Sequence, residues 1–278
     1  MAMNGPLTTL PNTAFRIPAM ETATLTGLPT GSVRAPVLAD VLDPNRGNWY
    51  GLKDAVGILS ANQRVEAQKQ KASAVRLSRF QGMEVLRARM EKRGIPIISH
   101  SLDADIFQSP DENRSIIELV CNALDASKDG LDVHVNAGDG FFEVLDFGKG
   151  MNLQTLLYRL LMPKLSGKPN AEKTIGRFGI GFYTALRHLK NEGESVVVET
   201  KTKRNAAMRV VITMRHGQLC VSDPVVLGSE EDFYSALSGH DSGTRVRVVA
   251  QDLSVANLTA AMNHTLRYGG NGRDIVYL

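Results

Sequence analysis

Apolar and polar residues follow two different patterns along residues 99–278. Four segments have the apolar spacing of helices: "SPDENRSIIELVCNALDASKDG", "NLQTLLYRLLMP", "FGIGFYTALRHLKN" and "VANLTAAMNHTLRYG". Others are rich in β-branched residues and alternate as strands do: "DVHVNAG", "GFFEVLDFG", "ESVVVETKT", "AAMRVVITMRHGQLCVS" and "GTRVRVVAQ". This order predicts one α+β domain, with a mixed, largely antiparallel sheet and helices on one face.

Local signals predict turns and helix ends within this pattern. Gly138-Asp139-Gly140 separates two strand-like segments and predicts a β-hairpin. Ser109 followed by Pro110 predicts the start of a helix, because proline is tolerated in the first helical turn. Pro163 is expected to end the helix that precedes it.

One predicted helix carries a line of polar side chains on an otherwise apolar surface. In "IELVCNALDAS", residues 116–126, Glu118, Asn122 and Asp125 fall within a narrow stripe when the residues are placed on a helical period. The stripe either faces bulk water, as on an ordinary amphipathic helix, or lines a polar cleft. The helix alone leaves both interpretations open.

The N-terminal part of the chain has a different composition. Residues 1–48 hold six of the eleven prolines, with many Thr and Ala and little charge. Such a segment cannot build a core, so we expect a disordered Pro/Thr-rich leader. Its shortage of acidic residues would also suit a targeting or export segment.

Residues 49–98 are predicted to form a basic helical arm. Within them, residues 53–94 lack proline and carry ten Lys or Arg against four acidic residues. Their second half can form an apolar stripe, which consists of Val75, Phe80, Met83, Leu86 and Met90. The arm therefore either packs on the domain that follows or contacts nucleic acid through its charge.

The bulk composition limits the class of protein. The chain is 43% hydrophobic and 22% charged, which is typical of a globular domain. Its net charge of +3 is too small to indicate a nucleic-acid binder by itself. No apolar run is long enough to span a membrane, and the N-terminus lacks the pattern of a secretory signal. Cys121 and Cys220 have no metal-ligand spacing, so we expect a reducing, cytoplasmic location.

Three further segments contain glycines at positions where a ligand could bind. In "VLDFGKGM" a predicted strand ends at Asp146, and Gly148 and Gly150 follow. This carboxylate could bind a donor on a ligand, although Asp with Gly is also ordinary turn chemistry. In "SGTRVRVV", Thr244 opens a strand, which is most often a structural role.

The third segment, "IGRFGIGFYTAL", has three glycines directly before a helix. Gly176, Gly179 and Gly181 leave backbone N–H groups free at the positive end of the helix dipole, where phosphate oxygens could bind. The spacing is neither that of the dinucleotide fingerprint nor that of a P-loop. A glycine-rich helix entry without a ligand is the alternative.

Taken together and in this order, the motifs E-x-x-x-N-A-x-D-A, D-x-G-x-G-M, G-x-x-G-x-G-F and G-T resemble the GHKL ATPase superfamily. The resemblance covers about residues 105–278. It is nearest to the N-terminal ATPase domain of the ninety-kilodalton heat-shock chaperones, with MutL and MORC-type ATPases close. It implies the Bergerat fold, a two-layer α/β sandwich, preceded here by the helical arm.

The resemblance also implies roles for the polar stripe, which would line a nucleotide cleft. Glu118 would be the catalytic general base that activates water. Asn122 would bind Mg²⁺ through its amide oxygen, and Asp125 would belong to the cleft wall.

The remaining motifs would bind the nucleotide itself. Asp146 would accept the adenine amino group, with Gly148 and Gly150 beside it, Met151 against the ring and Thr244 in a water network. The phosphates would lie on the segment that contains Gly176, Phe178, Gly179, Ile180, Gly181 and Phe182. Residues 152–175 would form a mobile lid, whose Lys164, Lys168 and Lys173 we expect to be solvated.

What the ATP would be used for stays open at this point. One hypothesis is slow hydrolysis that drives dimerisation or a conformational switch, with a homodimer or partner protein supplying a basic residue to the γ-phosphate. Protein kinase activity is a second, although residues 53–94 contain no His that could be phosphorylated as in histidine kinases. A third is an ATP-sensing module whose basic arm binds nucleic acid.

Overall fold

The computed structural model describes residues 48–68, 80–107, 114–127, 131–163, 181–254, 256 and 275–277. The predicted leader therefore lies outside the described residues, apart from Asn48. So do Ser109, Pro110, Val75 and the three lysines of the predicted lid.

Nine strands of the described residues form one sheet. They are β1 (Trp49–Gly51), β2 (Val133–Gly138), β3 (Phe141–Asp146), β4 (Ser195–Lys201), β5 (Met208–Arg215), β6 (Gln218–Ser222), β7 (Val225–Val226), β8 (Gly243–Val249) and β9 (Ile275–Tyr277). Eight of them follow the order β1-β6-β5-β4-β8-β3-β2-β9, and β7 pairs with β5. Within this sheet the β2–β9 pair is parallel and the other pairs are antiparallel.

Seven helical segments accompany the sheet in the described part of the chain. They are α1 (Leu52–Gln68), α2 (Met83–Lys92), α3 (Asp103–Ile106), α4 (Arg114–Ala126), α5 (Leu153–Thr155), α6 (Gly181–Thr184) and α7 (Asp232–Ala236). A π-helical turn, Leu156–Leu160, continues α5, and a 3₁₀ turn, Ala185–His188, continues α6. No helix among these residues is both long and apolar enough to cross a bilayer.

The main core lies between the helices and one face of the sheet. Strand alternation places Phe142 and Val144 of β3 on this face, together with Val246 and Val248 of β8. Helix α4 buries eight of its thirteen residues against it. The predicted α+β sandwich, with a mixed and largely antiparallel sheet, is confirmed.

The segment predicted as a helical arm shares this core. Strand β1 pairs with β6, and α1 and α2 bury Leu52, Val56, Met83 and Leu86 in the main cluster. Residues 80–82 are not helical, so Phe80 contacts the core from outside α2 instead of extending its stripe. The division of the chain at residues 48 and 98 stays a prediction.

The opposite face of the sheet carries a network of buried ion pairs. Arg245, 3% exposed, donates to Glu199 from Nε at 2.6 Å and to Asp232 of α7 from Nη2 at 2.8 Å. Arg209 donates to the other Glu199 oxygen at 2.8 Å, and Arg247 contacts Glu143 at 2.5 Å. Burial lowers the pKa of Arg245, but the carboxylates of Glu199, Glu143 and Asp232 outweigh it and hold the pKa above its usual range. The network fixes the register of β4, β5, β8 and β3.

This network predicts a large stability loss when one central carboxylate is neutralised. Glu199→Gln leaves the guanidinium groups of Arg209 and Arg245 without their shared counter-ion inside the protein, and we expect the free energy of unfolding to fall by about 3–5 kcal/mol. Asp241→Asn, in an exposed ion pair with Lys203 at 3.6 Å, should change it by less than about 1 kcal/mol. Urea unfolding of both variants measures the difference, and equal effects would contradict the assignment of Glu199 as the centre of the network.

Candidate functional site

Asp146 is a carboxyl group on the core face of the sheet. It ends β3 and, by strand alternation, points to the same side as Phe142 and Val144. Its exposed fraction is only 5%. The backbone N–H groups of Gly148 and Thr244 donate to it, the first at 2.8 Å. A carboxylate buried at a core position lowers the free energy of unfolding unless hydrogen bonds to the protein or to a ligand compensate for the lost hydration.

The surroundings of Asp146 change its acidity. Burial raises the pKa of its carboxyl group to about 7, and the two backbone hydrogen bonds offset only part of that effect. Within the described residues, no Lys, Arg or His contributes to the shift. The group therefore changes its charge near neutral pH, a property that is frequent among residues of functional sites.

Two glycines after Asp146 allow the backbone of this loop to pack closely against two neighbouring segments. A Cβ added at Gly148 would lie 2.2 Å from the carbonyl oxygen of Ala126, at the end of α4. Gly150 has a φ of +64°, and a Cβ there would lie 2.0 Å from the carbonyl oxygen of Lys201. Both positions therefore require glycine, which brings the end of α4, the loop after β3 and the end of β4 together.

Two threonines connect this loop to the sheet. Thr244 of β8 pairs with Asp146 on one side and with Thr200 of β4 on the other. The hydroxyl oxygens of Thr200 and Thr244 are 3.1 Å apart, and the Thr200 hydroxyl accepts from the Met151 backbone N–H at 2.7 Å. Met151 is half-buried and packs on the edge of the core. Asp146, Thr244, Thr200 and Met151 therefore form one hydrogen-bonded cluster.

Helix α4 directs its polar stripe away from the core. Glu118, Asn122 and Asp125 are half-buried, whereas the residues between them, such as Leu119, Val120 and Cys121, are buried. The contact between Ala126 and Gly148 joins the C-terminal end of this helix to the Asp146 cluster. The stripe is therefore not fully solvated, and its place in the wall of a cleft stays a prediction.

Glu118 lies between two neighbours that limit where its carboxylate can point. Arg114, one turn earlier on α4, forms an ion pair with Glu118 Oε1. Gly181, the first residue of α6, lies so close that an added Cβ would be 2.6 Å from Glu118 Oε2. The Glu118 side chain is 15% exposed, which leaves the carboxylate within reach of solvent.

The predicted phosphate-binding segment is described only at its end. Gly176, Phe178, Gly179 and Ile180 lie outside the described residues. Gly181 begins α6 beside Glu118, and the side chain of Phe182 is buried in the main core. A role of Phe182 in ligand binding stays a prediction.

Sequence reasoning missed three residues of this site. Thr200 can be assigned to the site only when the pairing of β4 with β8 is known. Ser242, whose hydroxyl donates to the Gly148 carbonyl at 2.8 Å, lies in no local sequence pattern that indicates this contact. Arg114 could have been found, because Arg and Glu four residues apart on a helix are neighbours.

The comparison with protein families agrees with this geometry. Residues 110–244 match the model of the histidine kinase-, DNA gyrase B-, and HSP90-like ATPases. The match includes α4, Asp146 and Thr244, and it supports the GHKL superfamily and, at a general level, ATP binding. The mixed sheet, with α7 on one face and the helices of the main core on the other, is consistent with the Bergerat sandwich of that superfamily. A search of curated proteins found no match.

The raised pKa of Asp146 predicts how stability depends on pH. The unfolded chain loses this proton near pH 3.8 and the folded chain only near pH 7, so ionisation opposes folding progressively between these values and fully above them. Asp146→Asn removes the effect. We expect its free energy of unfolding, relative to that of the wild type, to rise by about 2–3 kcal/mol between pH 5 and pH 8.

The control is Asp139→Asn, which changes an exposed Asp in the β2–β3 turn. Urea unfolding at both pH values should give this variant the same pH dependence as the wild type. If Asp146→Asn also followed the wild type at both pH values, the carboxyl group of Asp146 would not be the buried titrating group described above.

Proposed function

We propose that this protein binds ATP with Mg²⁺ in a lid-covered cleft of the Bergerat fold and hydrolyses it slowly. The observation that carries the proposal is the buried Asp146 carboxylate, held by two backbone donors at the end of β3, where Gly148 closely approaches the C-terminal end of α4. The match of residues 110–244 to the ATPase family supports the same function.

Asp146 is suited to recognise adenine. An ionised carboxylate has acceptor sites beyond those that Gly148 and Thr244 use, so it can accept from the exocyclic amino group of the base. Guanine has a carbonyl oxygen at the corresponding position and, above the pKa of Asp146, would present an acceptor to an acceptor. Gly148 and Gly150 let this loop pack tightly against the ends of α4 and β4, and the Met151 backbone N–H then reaches Thr200 beside Asp146.

Glu118 is the proposed general base. Its carboxylate would take a proton from the attacking water while the water oxygen bonds to the γ-phosphorus and the bond to the leaving oxygen of ADP breaks. Arg114 and Gly181 restrict the rotamers of Glu118, which reduces the reorganisation needed before attack.

Asn122 is the proposed protein ligand of Mg²⁺. No group of three or more His, Cys, Asp or Glu side chains that could hold a metal ion exists within the described ranges. A single amide oxygen fits Mg²⁺, which usually keeps several waters and takes its other ligands from phosphates. The ion supplies charge neutralisation on the phosphate oxygens when it is bound.

The proposed output is a conformational or dimerisation switch like that of the chaperone, MutL and MORC branches. The predicted lid, residues 152–175, begins with α5 and a π-helical turn, an element that is frequent at functional sites. In the described part of the arm, Lys53 and Arg87 form ion pairs with Asp103 and Asp54. The Lys53–Asp103 pair, with the burial of α1 and α2 in the main core, favours packing on the domain over contact with nucleic acid.

Binding and turnover should separate between two variants. We expect Asp146→Asn to abolish ATP binding, because the amide would present a donor or a weakened acceptor to the adenine amino group. Glu118→Ala should bind ATP within about threefold of the wild type and lose about 10²-fold or more of its turnover, as expected for loss of a general base. Calorimetric titration and a phosphate-release assay, both with Mg²⁺, measure these two quantities.

Matched controls are Asp139→Asn and Glu91→Ala, which change exposed carboxylates of the β2–β3 turn and of α2. Both controls should behave as the wild type does. A wild-type protein that does not bind ATP would overturn the proposal as a whole, whereas binding without turnover would overturn hydrolysis and leave an ATP sensor.

A further inference from the structure

Ser115, His188 and Asp252 form a buried chain of hydrogen bonds outside the cluster described above. Ser115 Oγ lies 2.7 Å from His188 Nε2, and His188 Nδ1 lies 2.9 Å from Asp252 Oδ1. Lys190 Nζ donates to the other oxygen of Asp252 at 2.8 Å. With its proton on Nδ1, the His188 ring donates to Asp252 and accepts from the Ser115 hydroxyl.

These residues are hydrogen-bonded in the same Ser–His–Asp sequence as the catalytic triad of a hydrolase, but the serine is not accessible to a substrate. Ser115 is 1% exposed and His188 3% exposed, so the hydroxyl cannot reach a substrate. A nucleophile needs an acceptor carbon or phosphorus within bonding reach, which burial on this scale prevents. The chain of hydrogen bonds therefore calls for another role.

These hydrogen bonds connect the helix of Glu118 to the segment that begins at Gly181, the last of the predicted phosphate-binding glycines. Ser115 precedes Glu118 by three residues and so lies near the same side of α4. His188 ends the 3₁₀ turn that continues α6, and Gly181 begins α6. The segment 181–188 thus contacts α4 twice, through Gly181 at Glu118 and through His188 at Ser115.

Two contacts restrict α4 more than one contact does. The Gly181 contact is steric and fixes only how close the two helices come. The Ser115–His188 hydrogen bond is directional, and it opposes sliding or rotation of α4 along α6. Either movement would displace the Glu118 carboxylate from Gly181 at the N-terminal end of α6. Under the proposed function the γ-phosphate would lie at this end.

Asp252 anchors this arrangement to the sheet. It follows β8 within a turn in which Leu253 N–H donates to the Ala250 carbonyl, and the Leu253 carbonyl accepts from Gly140 N–H in the β2–β3 turn. Burial raises the pKa of Asp252, but the hydrogen bond from Lys190 and the neighbouring His188 outweigh burial and hold the pKa below its usual range. Asp252 is therefore a fixed anion that orients the His188 ring.

We propose that His188, oriented by Asp252 and bonded to Ser115, is a positioning residue that fixes the height and rotation of α4 and thereby places Glu118 for hydrolysis. The inference rests on the proposed ATPase function. It goes beyond that function, because it assigns a positioning role to hydrogen bonds that lie outside the Asp146 cluster.

Ser115→Ala tests this role, because it removes one hydroxyl group and leaves the His188–Asp252 contact in place. We expect kcat for ATP hydrolysis to fall by about tenfold or more, since a displacement of about 1 Å can cost 10²-fold. The dissociation constant of ATP should stay within about threefold, because the adenine contacts at Asp146 are unchanged. The control is Ser195→Ala, a buried serine of β4 whose hydroxyl has no hydrogen-bond partner among the described residues.

A second variant, Asp252→Asn, changes a more exposed residue and keeps the test valid if Ser115→Ala does not fold. It should lower kcat with the same separation from ATP affinity. If a folded Ser115→Ala or Asp252→Asn protein kept the wild-type kcat, or lost affinity and turnover equally, the positioning role would be wrong while the ATPase function stood. A wild-type protein without ATP turnover would overturn the ATPase function and this inference with it.

Discussion

The antiparallel pairing of β3, β8 and β4 is the constraint on which the site depends. Its register places Asp146, Thr244 and Thr200 in one row across the sheet. Because all three have the strand parity of the core-facing residues, the row lies beneath the helices and not on the outer face. The ion pairs of Glu199, Arg245 and Glu143 hold the same three strands together from the other side. A slip of one residue would turn Asp146 outward and remove the site.

The site is built at a cost to stability. The buried carboxyl group of Asp146 opposes folding above neutral pH, and Gly148 and Gly150 give up side-chain packing so that backbone segments can approach closely. Packing elsewhere compensates, for example along α4, where apolar residues surround the stripe of Glu118, Asn122 and Asp125. Such a balance is typical of functional sites, where local strain or burial is retained because a ligand uses it.

Much of the fold followed from local pattern, and the parts that did not required knowledge of tertiary contacts. The hairpin around Asp139, the helix of Glu118 and the strand that ends at Asp146 were predictable from turn residues and periodicity. The position of β1 at the edge of the sheet was not, because three residues carry too little periodicity. Thr200 and the Ser115–His188–Asp252 chain join residues far apart in sequence, so only the register and the packing of α4 on α6 bring them together.

The central claim is that Asp146 selects adenine in a nucleotide cleft. Calorimetric titration of the wild-type protein with ATP and with GTP, both with Mg²⁺, tests it most directly. The account predicts that ATP binds and that GTP binds at least about 10²-fold more weakly, because the guanine carbonyl would leave the buried carboxylate without a donor. Equal affinity for the two nucleotides would contradict it.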